Sequence, residues 1–289
     1  NAKEFIEMHG YDISDYGWRG LENATMRFNN VDPLAEKYPG ISPYVYCNNN
    51  PINAIDPDGQ DIVYINTTGS EVYRIQSNKV YSTYIQGTRN ASADPSKSTI
   101  GWKQVSMPNI IQERTQSGED VSGAAYQAND YQIAARTGYF NQAKNAGILK
   151  LYTDGGNEIS QDAVKSIPDL DPTLVKAITI QESHAGATGI TDLMTSNTKA
   201  DWSSFKTKYS LEVGVSPNVS NSLYSGIRIL GTKGFKGGIT YDTKTGLSTY
   251  TFQGWDNATK SYNGKGVKNY QKYIQTMMDN SKKPTPADY

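Results

Sequence analysis

The sequence predicts an α+β chain in which short β-strands and hairpins precede a mainly α-helical domain. Three observations carry this. Turn-forming residues crowd positions 11–60, short apolar-alternating runs fill 61–86, and from Ala124 apolar residues recur at three- and four-residue spacing. A chain of 289 residues is long enough for one large or two modest domains, each with its own core.

The first segment is punctuated by Asp32-Pro33, Asn50-Pro51, Asp56-Pro57 and Asp58-Gly59. Proline presets φ, and Asp and Asn side chains bond their own backbone, so these dipeptides predict corners with short aromatic strands such as Tyr44-Val45-Tyr46 between them. Residues 62–65 form a strand, Asn66-Thr67-Thr68-Gly69 turns the chain, 72–75 return, and 80–85 add a third strand. Residues 87–123 lack a period and predict a linker or irregular connection, with one strand near 102–105. Helical spacing then links Ala134, Ala135, Phe140, Ala143 and Ala146, with Gly147 as a stop. Asp171 caps the next helix and Pro172 takes its first position. Later helices are predicted over 219–230, through Leu223, Ile227 and Leu230, and over 267–278, through Tyr270, Ile274 and Met277. Residues 241–252 read as a hairpin placed beside the cleft, and the polar tail 281–289 as loose.

Composition removes several function classes. The 28 basic and 29 acidic residues balance, and no basic stripe offers a nucleic-acid footprint. The single cysteine, Cys47, excludes an intrachain disulfide and most cysteine metal sites, and His9 and His184 lie too far apart in sequence to hold a metal alone. There is no run of about eighteen apolar residues to span a membrane, and no signal peptide at the start. Beginning at Asn1 rather than Met, the chain reads as a piece of something longer.

The sharpest chemical candidate is Glu182. Leu174, Ile178 and Glu182 are spaced by four, so the carboxyl shares a helix face with two aliphatic side chains. Apolar surroundings disfavour a charged carboxyl and raise its pKa, which a general acid at a glycosidic oxygen requires. The same spacing also fits a solvated glutamate in a last helical turn.

The run Asp171-Pro172-Thr173-Leu174-Val175-Lys176-Ala177-Ile178, followed by Gln181-Glu182-Ser183, resembles the Glu-bearing helix of the lytic transglycosylase and goose-type lysozyme superfamily. Three further pieces follow in that family's order: 186–194 (GATGITDLM), 224–230 (YSGIRIL) with Lys233-Gly234-Phe235, and 261–264 (SYNG) with Asn269-Tyr270 and Tyr273. The resemblance covers roughly residues 168–279. It implies a lysozyme-like fold and a peptidoglycan glycosidase without cofactor, acting between N-acetylmuramic acid and N-acetylglucosamine. Glu182 would be the acid/base, Tyr262 would steady the oxocarbenium-like centre, and Ser183 would orient Glu182 or substrate. Gly189, Met194, Thr195, Asn263 and Tyr270 would line the cleft.

The family's Gln after Leu-Met is absent; Thr195 or Asp192 stands there, depending on the alignment. One carboxylic acid suffices for a lytic transglycosylase. An inverting hydrolase needs a second carboxylate about 6.5–9.5 Å away. Asp192 or Asp201 can fill that place, or Asp192 can be a turn residue and Asp201 a helix cap. The missing Gln also favours a rival reading, a non-catalytic module that binds glycan or a partner.

Residues 11–59 carry Asp15-Tyr16-Gly17, Arg27-Phe28, Asp32-Pro33-Leu34-Ala35-Glu36-Lys37-Tyr38, Ser42-Pro43-Tyr44, Asn49-Asn50-Pro51 and Asp56-Pro57-Asp58-Gly59. Together they resemble the C-terminal end of the core of RHS-repeat (YD-repeat) proteins, whose following segment is a variable toxin. That implies a secreted antibacterial effector acting in the target's cell wall, commonly delivered by type VI secretion. Its partners would be peptidoglycan strands, the rest of the RHS shell and its secretion apparatus, and a cognate immunity protein. The resulting division is 1–60 for the RHS end, 61–123 for a hairpin and linker, 124–280 for the lysozyme-like domain and 281–289 for the tail.

Overall fold

The computed structural model describes residues 4–8, 11–15, 20–22, 25, 27–31, 42, 44, 62–75, 82–87, 95, 98, 100–199, 202–264, 266–285 and 288–289. The chain is α+β and divides into two units, Asn1–Tyr64 with Glu71–Gln104, and Ile65–Ser70 with Val105–Tyr289. The turn dipeptides between 32 and 59, Cys47 and Asp201 lie outside the described residues.

In the first unit, β1 (Glu4–Met8), β2 (Tyr11–Asp15), β3 (Gly20–Glu22) and β4 (Arg27–Phe28) form an antiparallel meander with Ile6 opposite Ile13 and Leu21 opposite Phe28. The strands expected over 62–85 and 102–105 are present as β5 (Ile62–Ile65), β6 (Glu71–Ile75), β7 (Ser82–Gln86) and β8 (Trp102–Val105), in the sheet order β6-β5-β7-β8. The Asn66 side chain makes the predicted turn by accepting from the Thr68 and Ser70 amides, each at 2.9 Å. Tyr64 stacks on Tyr84 and meets Trp102 edge-on, both with ring centroids 5.3 Å apart, so the central strand is buried.

The second unit is built on six helices: α1 (Asp130–Asn145), α2 (Gln161–Lys165), α3 (Pro172–Ser183), α4 (Val219–Lys233), α5 (Trp255–Tyr262) and α6 (Tyr270–Asp279). As the sequence predicts, Asp171 caps α3, accepting from the Thr173 amide at 2.7 Å. Every residue of α3 except Glu182 is buried, so α3 is the central helix rather than an amphipathic surface one. The helices α1 and α6 pack on it, α4 packs on α1, and α5 lies against α4 and α6. Phe140, Leu151, Ile178, Leu223, Ile227, Phe235, Ile274 and Met277 belong to the common core.

Two expectations are corrected. Residues 105–123 are not a linker: they belong to the helical unit and form β9 (Ile110–Ile111) and the hairpin of β10 (Glu113–Arg114) and β11 (Glu119–Asp120). Two-residue strands are too short to show a period. Nor is the tail loose. Strand β14 (Ser281–Lys282) pairs with β9, and Tyr289 donates to Asp130 at 2.6 Å while its ring lies 5.4 Å from that of Tyr131. Backbone pairing and one buried acceptor order a segment that composition alone marks as polar.

The hairpin of β12 (Ile239–Asp242) and β13 (Leu247–Tyr250) is present, and most of its residues are exposed. The residues next to it, Phe252 and Trp255, pack near the N-terminal end of α3, where the Trp255 indole donates to the Pro168 carbonyl at 3.3 Å. Glu182 sits toward the other end, about 15 Å along the helix from Pro172. The residues that flank the hairpin are thus anchored at the end of α3 opposite Glu182.

Candidate active site

Glu182 is the penultimate residue of α3, where the chain is about to reverse. His184 and Ala185 follow with φ of 53° and 51°, and Gly186 with 83°. Three left-handed residues in succession turn the backbone sharply and begin the loop 187–197. Its first part carries Gly189 (φ 83°), which is exposed and has no neighbour crowding its Cα.

Burial raises the Glu182 pKa, and the charge of Asp192 adds to it; hydrogen bonds from Tyr270 and Thr195, and the charge of Arg114, pull it back without cancelling the rise. Tyr270, the first residue of α6, donates its hydroxyl to Glu182 Oε1 at 2.6 Å. Burial beside that carboxyl pushes the phenol's own pKa far upward, so it remains a donor. Thr195, itself in the left-handed region at φ 49°, approaches from the loop and is exposed. A buried-side carboxyl is thus bracketed by two hydroxyls with its own charge disfavoured.

The other expected residues build the wall that holds this arrangement. Asp192 Oδ1 accepts from the Ser196 amide (3.0 Å), the Ser196 hydroxyl (2.9 Å) and the Ser222 hydroxyl (2.6 Å), and Oδ2 accepts from the Asn197 amide (2.9 Å). A carboxylate has about four good acceptor sites, so Asp192 is engaged as the centre of a turn. The Met194 amide donates to Ser222 at 3.1 Å, and its buried side chain fills the space left by Gly226 in α4. Tyr262 donates to the Met194 carbonyl at 2.6 Å; the tyrosine that donates to Glu182 is Tyr270. Ser183 is buried, its hydroxyl shared between the Thr179 (3.0 Å) and Leu193 (2.8 Å) carbonyls, so it fastens the loop to α3. Asn263 bonds the Val267 amide and carbonyl at 2.8 and 2.9 Å and shapes the approach to α6.

The β10–β11 hairpin contributes residues that the sequence did not single out. Arg114 donates to the Gln181 carbonyl at 3.1 Å and lies 3.3 Å from His184 Nε2. Glu119 lies 3.3 Å from His184 Nδ1 and 3.8 Å from Arg114, and accepts from the Tyr126 hydroxyl. That hydroxyl, with His184 and Arg114, holds the Glu119 carboxyl below its ordinary range. A cation at the carbonyl end of α3 complements the helix dipole and secures the turn that carries Glu182. No periodic signal marks these residues, because they act through side chains from two separate elements.

Trp255 packs between Phe140 (6.2 Å) and Phe252 (5.0 Å), and Trp202 packs against the core, so both serve the interior. Among the described residues no group of three or more His, Cys, Asp or Glu can hold a metal ion, and no helix is long and apolar enough to cross a membrane. No family model, no curated protein and no solved structure matches the chain.

Proposed function

We propose that the helical unit cleaves the glycan strands of bacterial peptidoglycan between N-acetylmuramic acid and N-acetylglucosamine, with Glu182 as acid/base. The observation that carries this reading is Glu182 itself, a carboxyl whose pKa burial raises, held by Tyr270 at 2.6 Å at a loop-lined helix end. In its neutral form it gives its proton to the leaving glycosidic oxygen.

The four hydrogen bonds on Asp192 favour the reaction that needs only one carboxyl. Three of those bonds fall on Oδ1 and hold Asp192 in its turn, a structural role that the one-carboxyl route leaves undisturbed. In the lytic transglycosylase route the substrate's 2-acetamido group assists departure. Glu182, now ionised, then takes the proton of the 6-hydroxyl as that oxygen closes the 1,6-anhydro ring. The segment resembling an RHS core lies largely outside the described residues; with it, the reading extends to a secreted antibacterial effector countered by an immunity protein.

The test is clearance of a purified peptidoglycan suspension, followed by mass spectrometry of the released muropeptides. Wild type is expected to clear it and yield anhydro products, and Glu182→Gln to lose about 10²–10⁴-fold in rate. Undiminished clearance by Glu182→Gln would remove Glu182 from the mechanism. No clearance by wild type would leave a binding module instead, and reducing-end products would restore a hydrolase.

A further inference from the structure

Where α1 meets α4, positive charge accumulates with no acid among the described residues paired to it. Arg136 of α1 and Arg228 of α4 share the ring of Tyr224, their guanidinium carbons 5.5 and 3.5 Å from its centroid. Tyr139 supplies a second ring, 6.0 Å from Arg228. Arg228 is only 5% exposed, and its Nη1 donates to the Tyr224 carbonyl at 3.0 Å. Arg136 donates through Nε (3.0 Å) and Nη2 (2.6 Å) to the Ser220 hydroxyl. Neither guanidinium forms an ion pair with any described carboxylate.

Buried charges are ordinarily paired, because ring faces and a carbonyl replace only part of the lost hydration. Here the two guanidiniums also repel: burial lowers the pKa of both, and Arg136 lowers that of Arg228 further. Ser220 lies in the first turn of α4, where the dipole of a 15-residue helix adds positive potential. Arg136, Tyr139, Ser220 and Tyr224 are half-buried, so the group is open to solvent above a buried floor of Arg228. Planar guanidinium forks match the two-oxygen edge of a carboxylate or phosphate.

We propose that Arg136, Arg228, Ser220 and the rings of Tyr139 and Tyr224 form a binding site for an oxyanion, either inorganic phosphate or the terminal carboxylate of a peptide. The site stands on different residues from Glu182 and does not depend on the glycosidase reading.

The test titrates the full chain with inorganic phosphate, and with a short peptide ending in a free carboxylate against the same peptide amidated, at matched chloride strength. Saturable phosphate binding assigns the free ion, and preference for the acid peptide over the amide assigns a chain terminus; both support the site. Arg136→Gln is expected to weaken the effective probe about tenfold or more, the scale of one charged hydrogen bond. Without any oxyanion, Arg136→Gln should melt at or above the wild-type temperature, because it relieves the repulsion. The proposal is overturned if no probe binds more tightly than chloride, or if Arg136→Gln binds the probe unchanged. A lower melting temperature for Arg136→Gln in oxyanion-free buffer also overturns it, since that is the behaviour of a structural stack.

Discussion

Glu182 and Tyr270 share one hydrogen bond whose direction sets how the acid titrates. Tyr270 donates, so it favours the ionised carboxylate and restrains a pKa that burial pushes up. Tyr270→Phe removes that restraint. Its alkaline limb in a pH–rate profile for peptidoglycan cleavage is expected to move upward by about one pH unit, from a charged hydrogen bond of ~1.5 kcal/mol. An unmoved limb would mean that Tyr270 does not govern the acid. The raised pKa also bears on stability. The folded state binds the Glu182 proton more tightly than the unfolded chain does, so this group's contribution is full below the unfolded pKa. It is lost as pH rises through the folded pKa. Glu182→Gln should therefore melt higher than wild type at pH 8, with the difference shrinking at pH 4, in calorimetric scans. Glu182 was legible from its spacing with Leu174 and Ile178; Tyr270's contact, made across 88 positions, was not.

At the scale of elements, α1 and α3 are joined through a charge pair in the core. Lys176 Nζ lies 2.6 Å from Asp130, and both side chains are fully buried. Gln127 also accepts from the lysine. Burial pushes Asp130 up to about 6 even though Lys176 pulls it down. Removing one partner strands the other, so Lys176→Met alone is expected to cost about 3–5 kcal/mol in urea unfolding. Lys176→Met combined with Asp130→Leu should recover most of that loss; a double variant as unstable as the single one would contradict this account. A second prediction concerns α4 and the loop 187–197. A Cβ at Gly226 would come within 2.6 Å of Met194 Cβ and Sδ. Gly226→Ala should destabilise by about 1–3 kcal/mol through overpacking, despite alanine's better helix propensity. It should also slow cleavage, because Met194 precedes Thr195 on Glu182. Equal activity and stability would show that the loop yields freely. The helix α3 was readable from its cap and spacing and α4 from spacing alone, whereas α2 and α5 bury only two residues each and showed no stripe.

For the molecule as a whole, the ends of α3 divide the labour of the helical unit. The Glu182 end gathers the loop 187–197, α6 and the β10–β11 hairpin; the Pro172 end gathers Phe235, Phe252 and Trp255. The β12–β13 hairpin belongs to the second group and is exposed on nearly every residue, including Ile239, Tyr241 and Leu247. Replacing 240–249 by a short Gly-Ser turn should leave the rate of peptidoglycan cleavage within about twofold, since a two-stranded ribbon adds little stability by itself. A large loss of rate would place the hairpin in the substrate path.

The sequence by itself determined the α+β class, the strands over 62–86, the capped helix that carries Glu182 and the helices near 219 and 270. Those features follow from local rules: side-chain period, a cap residue, and proline at a first helical position. Only the tertiary structure decided which tyrosine meets Glu182, that Asp192 is held by four donors, that 105–123 and 281–289 belong to the helical unit, and where the residues flanking the β12–β13 hairpin are anchored. Each of these depends on side chains or strands far apart in the chain, and no local pattern records such distances. Glu182 could thus be found from its neighbours in sequence, but its environment is assembled from α6, the loop 187–197 and a short hairpin that only folding brings to it.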